Sequence, residues 1–406
     1  MPWKVSDVHE ERMRFVALSQ SGERTHSALC AQFGVSRETG YKWLCRYEQG
    51  GFESLVDASR ARHTQGRLVT GAVLQAILDL RGVHPTWGPK KIRACLLRER
   101  PELVVPASST IGDVLVREGL VQAASRRREV CGRPAGPFAP ALCPNAEWCI
   151  DFKGWFRTGD GTRCDPLTVT DAASRYVLAC QIMRSRTPEV QSATDRLMRE
   201  FGVPDAMRMD NGAPFASTGA GGLTPLSVHW AKLGIELRRT EPGRPQQNGR
   251  HERMHRTLKA DTSSPPAATC AEQQLRFDQF RHVFNVERPH EGLGMATPAS
   301  LYQPGNRPFP DKIEEPWYDA DHQTQRVRSD GMMMWKGQAL FLSEALGRQT
   351  IGLVEIEDGH TLVRFIDIEL GIIDAREKIF RRFTAPRSGR REAAKSQPEV
   401  STMCPV

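Results

Sequence analysis

The sequence predicts a multidomain protein with an all-α N-terminal part made of helix-turn-helix units, a central α/β mixed sheet and a small C-terminal β-barrel. Three patterns predict this division. Apolar residues recur at helical spacing over roughly the first 120 residues, strands then alternate with helices, and short strands separated by Gly turns follow. The expected boundaries are 1–60 for a helix-turn-helix domain, 61–123 for a second helical domain, 124–144 for a basic Pro-rich linker, 145–305 for the α/β core, 325–385 for the barrel and 386–406 for a disordered tail.

The charge balance suits a nucleic-acid partner but does not by itself establish one. Lys and Arg number 56 against 48 Asp and Glu, so the formal net charge is +8. No stretch approaches the roughly 18 uncharged apolar residues of a membrane-spanning helix, and the N-terminus lacks the apolar core of a signal peptide. We therefore expect a cytoplasmic protein that associates with DNA and not with a membrane.

The ten Cys do not predict a zinc site. The chain has no Cys-x-x-Cys pair, and His26-x-x-x-Cys30 is half of a zinc site without a second half nearby. In a reducing compartment we expect most Cys side chains to be small buried apolar groups.

The first domain has the pattern of a helix-turn-helix. Helices are predicted at 7–20, 25–33 and 37–48, with Gly34 ending the second and Ser36 capping the third. The third helix would enter the major groove of DNA. Its core-facing residues are predicted to be Trp43, Leu44 and Tyr47, and its DNA-contacting residues Arg37, Lys42 and Arg46. The alternative is an ordinary three-helix bundle that does not bind DNA.

A second helical unit and a linker follow. Helices are predicted at 68–81, 89–99 and about 109–119, and they form either a second helix-turn-helix or a bundle that spaces the first one. The sequence favours neither alternative. The linker begins with the charge run Arg126-Arg127-Arg128, and it either lies along phosphates or is simply solvated.

From about residue 146 the pattern is that of a mixed sheet with helices packed on it. Strands are predicted at 147–153, 165–171, 176–182, 206–210 and 235–240. Helices are predicted at 188–201, 225–233, 247–260 and 274–286.

Three carboxylates in this region are the candidate catalytic residues and metal ligands. Asp151 lies on an alternating strand, Asp210 ends a short strand before Asn211-Gly212, and Glu252 lies in a helix 42 positions after Asp210. Two carboxylates about 4 Å apart repel each other by roughly 4 kcal/mol at an effective dielectric constant of 20. Three cannot all remain ionised without cations, and carboxylate oxygens are the ligands that Mg²⁺ and Mn²⁺ prefer.

The helix that carries Glu252 has one charged and one apolar face. Arg256 and Lys259 fall within about 40° of Glu252, whereas Met254 and Leu258 fall on the opposite side. A metal-binding Glu beside cations that hold phosphate explains this face. The alternative is an exposed helix with an ordinary Glu-Arg pair four residues apart. His251 lies at about −100° from Glu252, so it is not expected to be a ligand.

These segments together resemble the DDE transposases of bacterial insertion sequences whose catalytic core is of the retroviral-integrase type. The matching segments are Trp148–Gly154, Thr168–Tyr176, Met209–Phe215, Glu241–Lys259 and Phe284–Tyr302. They cover about 146–305, and the helix-turn-helix at the front of the chain matches as well. The resemblance implies a ribonuclease-H-like fold for the central sheet.

The resemblance also implies a chemistry. Asp151, Asp210 and Glu252 would hold two Mg²⁺ (or Mn²⁺) ions, one activating the attacking oxygen and the other stabilising the leaving oxygen. Water would first cut the element end, and the freed 3′-hydroxyl would then attack target DNA. Lys259 matches the basic position of this helix in the family and would contact the DNA end. Double-stranded DNA is thus the expected partner, and joining two ends requires at least a dimer.

Other residues of the matching segments have less specific roles. Gln246 and Asn248 would lie near the same DNA, or alternatively cap and shape the loop before the helix. Asp171 is interpreted as a structural acid in the turn at a strand end. The chain lacks the His-His-Cys-Cys zinc module of the retroviral relatives, and its long spacing between Asp210 and Glu252 places a surplus in Ser217–Thr224. Two rival functions remain open: a DNA-binding regulator that does not cut, and a simple nuclease.

Overall fold

The computed structural model describes residues 8–57, 69, 71–121, 141–240, 249–356 and 359–388, with side chains as far as residue 383. The chain divides into two compact units, Met1–Val69 and Thr70–Val406. The expectations for residues 124–140 of the linker, for Gln246 and Asn248, and for the tail beyond residue 388 lie outside the described residues. None of the described helices combines the length and the apolar character that a membrane span needs.

The first unit contains the three helices that the sequence predicts. They are α1 (Val8–Gln20), α2 (His26–Phe33) and α3 (Arg37–Gly50). Gly34 ends α2 with a φ of 66°, and the Ser36 hydroxyl accepts a hydrogen bond from the Thr39 backbone N–H at the start of α3. The core is formed by buried apolar side chains of all three helices, among them Phe15, Leu29 and Trp43.

The second helical group belongs to the second unit and packs on the central part of the chain. It consists of α4 (Gly71–Val83), α5 (Pro89–Glu99) and α6 (Ser108–Arg117). The Arg98 guanidinium donates a hydrogen bond of 2.9 Å to the Glu287 carbonyl oxygen, and His84 Nε2 lies 3.5 Å from the Glu287 carboxylate. The helices are therefore anchored to the segment that follows the core helices, and the predicted helices 68–81, 89–99 and 109–119 are present with shifted ends.

The central sheet has five strands in the order β5-β4-β1-β6-β7. Their bounds are β1 (Glu147–Phe152), β4 (Pro166–Asp171), β5 (Val177–Ile182), β6 (Ala206–Met209) and β7 (Glu236–Arg239), and a small hairpin of β2 (Phe156–Arg157) and β3 (Arg163–Cys164) follows β1. The pairs β1–β4 and β4–β5 are antiparallel, whereas β1–β6 and β6–β7 are parallel. This is the predicted mixed sheet, and the expectation of a ribonuclease-H-like core is confirmed.

Helices cover both faces of this sheet. They are α7 (Thr187–Phe201), α8 (Pro225–Lys232), α9 (Gly249–Thr262), α10 (Cys270–His282) and the short α11 (Pro298–Leu301). One face of the sheet packs against α7 and α8 through residues such as Leu197 and Trp230. The other face packs against α9 and α10 through Met254, Leu258 and Phe277. The apolar side of α9 is therefore the one that the sequence predicts.

A buried amide ties the segment after α10 to the edge strand β5. Asn285 is 3% exposed. Its Oδ1 accepts a hydrogen bond of 2.8 Å from the Val177 backbone N–H, and its Nδ2 donates one of 2.9 Å to the Val177 carbonyl oxygen. The side chain thus satisfies both backbone groups of one residue in a place where water does not reach.

We expect Asn285→Ala to lower the free energy of unfolding by about 3 kcal/mol, because it leaves two buried backbone groups without partners. Urea unfolding followed by circular dichroism measures this difference. Asn306 is exposed, so Asn306→Ala should change the same free energy by less than about 0.5 kcal/mol. Equal values for the two variants would contradict the role given to Asn285.

A neutral histidine is buried in the same segment. His290 is 8% exposed, its ring packs edge-on against Phe284, and its Nε2 lies 3.3 Å from the Phe284 carbonyl oxygen. Burial lowers the pKa of His290 to about 4. As the pH falls below 6.5, His290 is protonated in the unfolded chain but stays neutral in the folded chain until the pH approaches 4.

This histidine should make the protein less stable in acid. Its contribution is complete above pH 6.5 and is lost as the pH falls from 6.5 toward 4, at about 1.4 kcal/mol per pH unit. We expect the loss of unfolding free energy between pH 7 and pH 5 to be about 2 kcal/mol smaller in His290→Gln than in the unmodified protein. The exposed His282 provides the control, since His282→Gln should leave that loss nearly unchanged. Identical losses in all three proteins would contradict the prediction.

The C-terminal strands form open sheets, so the predicted small β-barrel is wrong. A five-stranded antiparallel sheet has the order β14-β13-β12-β11-β8, and β9 and β10 form a separate hairpin. The bounds are β8 (Gln323–Arg326), β9 (Met332–Trp335), β10 (Gln338–Phe341), β11 (Thr350–Ile356), β12 (His360–Phe365), β13 (Ile368–Asp374) and β14 (Ile379–Ser388). Strand alternation predicts most of these strands but cannot predict whether the first and last ones pair.

The open sheet is possible because the core covers its apolar face. Buried residues of the C-terminal strands, such as Ile351 and Phe365, share one cluster with Ala220, Leu223 and Val228 of the core. The Gly-rich segment inserted between Asp210 and Glu252 provides part of this cover. A Cβ at Gly221, whose φ is 61°, would lie 3.1 Å from the Leu370 side chain. The surplus residues thus pack against the C-terminal sheet and leave the core strands undisturbed.

Candidate active site

Two of the three predicted carboxylates lie side by side on neighbouring parallel strands. Asp151 is in β1 and Asp210 directly follows β6, and the pairing of Cys149 with Arg208 puts the two acids at the same height. Neighbouring strands are about 4.8 Å apart, so equal heights bring the side chains together. Trp148 and Ile150 point to the opposite face, where they pack with α7 and α8. Both acids consequently face the side of the sheet that α9 covers.

The third predicted carboxylate lies on α9, and the oxygen atoms of Asp151, Asp210 and Glu252 do not all lie within 4.8 Å of one another. Glu252 lies in the first turn of this helix, and its side chain is exposed. Burial, together with the negative charges of Asp210 and Glu252, raises the pKa of Asp151 to about 7. Both neighbouring acids therefore act electrostatically on Asp151. A partly buried carboxylate whose ionisation is opposed by two neighbouring acids has surroundings that fit a hard divalent cation.

Two buried histidines of α9 lie beneath Asp151, and sequence reasoning missed them. His251 and His255 are 2% and 8% exposed. The Nε2 atoms of both rings lie 2.7 Å from the Thr168 hydroxyl oxygen, and His255 Nδ1 lies 3.9 Å from the Asp151 carboxylate. Burial lowers the pKa of His251 to about 3 and that of His255 to about 2, so both rings are neutral. The signal in the sequence is the spacing of four residues, which aligns them on one side of the helix.

These histidines support Asp151 better than they would bind a metal. Ligand atoms of Asp151, His251 and His255 all lie within 4.8 Å of one another, which is the one such cluster of three among the residues that the structure describes. The Nε2 atoms are however engaged by Thr168, and His251 Nδ1 lies 3.0 Å from the Thr170 hydroxyl. The network joins α9 to β4, and the Thr168 hydroxyl also donates a hydrogen bond of 3.1 Å to the Asp151 carbonyl oxygen.

Basic side chains border the carboxylates. Arg256 and Lys259 are exposed on α9, as expected. Lys153 follows β1, and its pKa is lowered mainly by burial and further by the positive charge of Lys259. Two ammonium groups thus lie near each other beside Asp151, although the sequence analysis did not select Lys153. Anionic phosphate would relieve their repulsion.

Asp171 is buried and fully used by the fold. Its carboxylate accepts hydrogen bonds of 2.8 Å from the Asn145 backbone N–H and of 2.7 Å and 2.6 Å from the backbone N–H and hydroxyl of Ser174. It closes the turn between β4 and β5, which agrees with the structural interpretation of this acid.

Two of the three predicted DNA-contacting residues of α3 lie beside one aromatic ring. Arg37 and Lys42 are exposed and Arg46 is half-buried. The Arg46 guanidinium lies 4.9 Å, and the Lys42 ammonium 5.7 Å, from the centre of the Trp43 ring. His26 and Cys30 contact each other at 3.5 Å, and within the described part of the first unit they have no further Cys, His or acid that would complete a zinc site.

Comparison with known proteins identifies the parts of the chain. Residues 141–245 and 233–298 each match an integrase core domain family, residues 11–63 match a helix-turn-helix domain and residues 39–115 a homeodomain-like domain. An uncharacterised 31.7 kDa protein of the insertion element IS407 from Burkholderia multivorans is 27% identical over 161 residues. That match covers 39% of this chain, and the chain spans 55% of the length of the relative.

Solved structures of retroviral integrases are also similar. The magnesium-bound catalytic core of HTLV-2 integrase is 16% identical with a TM-score of 0.31, and the match covers 40% of this chain and 99% of that one. A chain of the simian T-cell lymphotropic virus intasome in complex with PP2A regulatory subunit B56 gamma is 18% identical with a TM-score of 0.35, and the match covers 77% of this chain and all of that one. Residues 141–298 thus match integrase core domain families and residues 11–115 match helix-turn-helix and homeodomain-like families, and the resemblance to insertion-sequence transposases with such a core is confirmed.

Proposed function

We propose that the protein is a DDE transposase that binds the ends of an insertion element, nicks them by metal-dependent hydrolysis and joins the freed 3′-hydroxyl to target DNA. The observation that carries this proposal is the alignment of Asp151 with Asp210 on parallel strands, together with the charge of Glu252 acting on Asp151. The domain matches and the insertion-element relative support the same class of activity.

The proposed catalytic residues and metal ligands are Asp151, Asp210 and Glu252, which would hold two Mg²⁺ or Mn²⁺ ions. When bound, such ions activate the attacking oxygen and stabilise the leaving oxygen of an in-line displacement at phosphorus. The chain itself positions the reactants and neutralises charge. Thr168 and the two histidines hold Asp151 in place, and Lys259, Arg256 and Lys153 border the position where a scissile phosphate would lie.

Recognition of the element ends is assigned to the N-terminal domains. We propose that α3 enters the major groove with Arg37, Lys42 and Arg46 toward DNA, and that Gln246 and Asn248 lie near the cleaved end. The domain boundaries expected from the sequence are proposed with an open sheet in place of the barrel over 325–385. The active form is proposed to be at least a dimer because two ends must be joined, and the protein is proposed to act on cytoplasmic DNA.

The test uses the full chain with labelled duplex DNA that carries the terminal repeat, in the presence of Mg²⁺. Nicking at the repeat end together with joined products is the expected result. Nicking without joining would instead establish a nuclease, and specific binding without cleavage would establish a regulator. Omission of the metal should abolish both products and leave binding intact.

A further inference from the structure

A basic cavity of about 620 Å³ lies beside the candidate active site. It is bounded by α5, α9, the turn between β4 and β5, and the segment after α10. Seven of its lining side chains are Lys or Arg and three are Asp or Glu. Asp151, Asp210 and Glu252 are not among the lining residues, so the cavity is separate from the carboxylate group.

The three acids that line the cavity are already committed to other partners. Glu147 contacts Arg208 and Arg238, Asp171 accepts hydrogen bonds from Asn145 and Ser174, and Glu291 is paired with Lys90. These three acids therefore do not neutralise the remaining Lys and Arg side chains of the lining, and the cavity keeps an excess of positive charge.

Three arginines in the cavity repel one another. Burial, and then the charges of Arg250 and Arg253, lower the pKa of Arg175. Within the described chain, no carboxylate lies within 4.0 Å of these three guanidinium groups, and Arg175 Nε is buried without a hydrogen-bond partner. A lysine of the same lining, Lys91, also has a lowered pKa of about 8, mainly because of burial and then because of the charge of Arg288.

The fold maintains Arg175 in this place at a cost. Its φ is 64°, a conformation that non-glycine residues rarely adopt. Its guanidinium also packs against Gly292, where a Cβ would collide with it. A strained backbone, a buried unpaired donor and like-charge repulsion at one residue indicate a group that is kept for a ligand and not for stability.

We propose that this cavity is a phosphate-binding site for one strand of DNA, with Arg175, Arg250 and Arg253 as the groups that contact the phosphodiester oxygens. Planar guanidinium groups bind phosphate through paired hydrogen bonds, which suits three of them around one space. A DNA strand is favoured over a free polyphosphate because Arg256 both lines the cavity and lies one helical turn after Glu252 on α9. The proposal deepens the proposed function and rests on DNA as the substrate.

The test measures binding without catalysis. Labelled terminal-repeat duplex and inorganic tripolyphosphate are titrated separately onto the full chain in EDTA over a range of salt concentrations. The variant is Arg250→Gln combined with Arg253→Gln, since both side chains are exposed and their loss should leave the fold intact. Arg196→Gln combined with Arg199→Gln, both exposed on the helix α7 that covers the opposite face of the sheet, is the charge-matched control. Circular dichroism and unfolding midpoints establish that each variant is folded.

We expect the double variant to bind the duplex roughly 10- to 100-fold more weakly, and the slope of log affinity against log salt to fall by about 2. Duplex binding equal to that of the Arg196→Gln and Arg199→Gln control, with weakened tripolyphosphate binding, would overturn the assignment of a DNA strand and indicate a free polyphosphate as the ligand. No change with either probe would overturn the phosphate site itself. Strand cleavage is measured separately in Mg²⁺. A protein that binds duplex through this cavity but does not cut it would contradict the proposed function and leave the phosphate site supported.

Discussion

Asp210→Asn is expected to lower strand cleavage by at least about 1,000-fold in the presence of Mg²⁺, which corresponds to a barrier increase of roughly 4 kcal/mol. The amide keeps the size and place of the side chain next to Asp151 but removes one of the charges that would hold the cation. Nicking of labelled terminal-repeat DNA under single-turnover conditions measures the effect. Cleavage within about 10-fold of the unmodified protein would remove Asp210 from the catalytic residues.

The same variant separates catalysis from folding and from binding. In the absence of metal, Asp210 raises the pKa of Asp151, so its removal should relieve repulsion and raise the free energy of unfolding by about 1 kcal/mol. A structural carboxylate would show the opposite sign. Specific DNA binding in EDTA should stay within about 3-fold of that of the unmodified protein. Asp367→Asn, in the turn between β12 and β13, is the control that should leave all three measurements unchanged.

The sequence predicted the carboxylates because each one stands at a recognisable place in a local pattern. It could not predict that Asp151 and Asp210 share a height, since this depends on β1 and β6 becoming parallel neighbours across the 53 residues of chain between them. The position of Glu252 on α9 followed from helical spacing. The distance from Glu252 to the strands depends on how α9 packs, which a helical projection does not contain.

The histidine network shows a second kind of limit. Helical spacing separated His251 from the exposed face of Glu252, in agreement with its burial, and for that reason the sequence analysis did not select it as a ligand. The partner that explains it, Thr168, belongs to a strand more than 80 residues away. A neutral buried imidazole becomes meaningful only when the group that it contacts is known, so the role of His251 and His255 could not be derived from their own neighbours in sequence.

The prediction for the C-terminal part is wrong for a related reason, because the partners of its strands are also distant in sequence. Alternation and Gly turns predicted strands at 332–335, 338–342, 350–356, 362–366 and 371–375 but none at β8 or β14, and the predicted barrel was wrong. The apolar face of the open sheet is covered by Ala220, Leu223 and α8, which come from a different part of the chain. Closure into a barrel would have buried that face without help from the core, and no local pattern distinguishes the two solutions.

A buried carboxylate joins the three strands that carry or flank the proposed catalytic acids. Glu147 in β1 is fully buried and lies between Arg208 of β6 and Arg238 of β7. The two arginines are direct cross-strand neighbours, so Glu147 also offsets the repulsion of their like charges. This arrangement keeps β1 and β6 together near the height at which Asp151 and Asp210 meet.

Arg208→Met should therefore lower the free energy of unfolding by about 3 to 5 kcal/mol, because it leaves a buried carboxylate with only the half-exposed Arg238 as a partner. The double variant Glu147→Leu with Arg208→Met removes both buried charges and should return to within about 1 kcal/mol of the unmodified protein, since Arg238 still pairs with Glu236. Urea unfolding measures all three proteins, and Arg326→Met on the exposed side of β8 is the control. If the single and double variants were equally unstable, the loss would come from packing, and the charge of Glu147 would not be what holds these strands together.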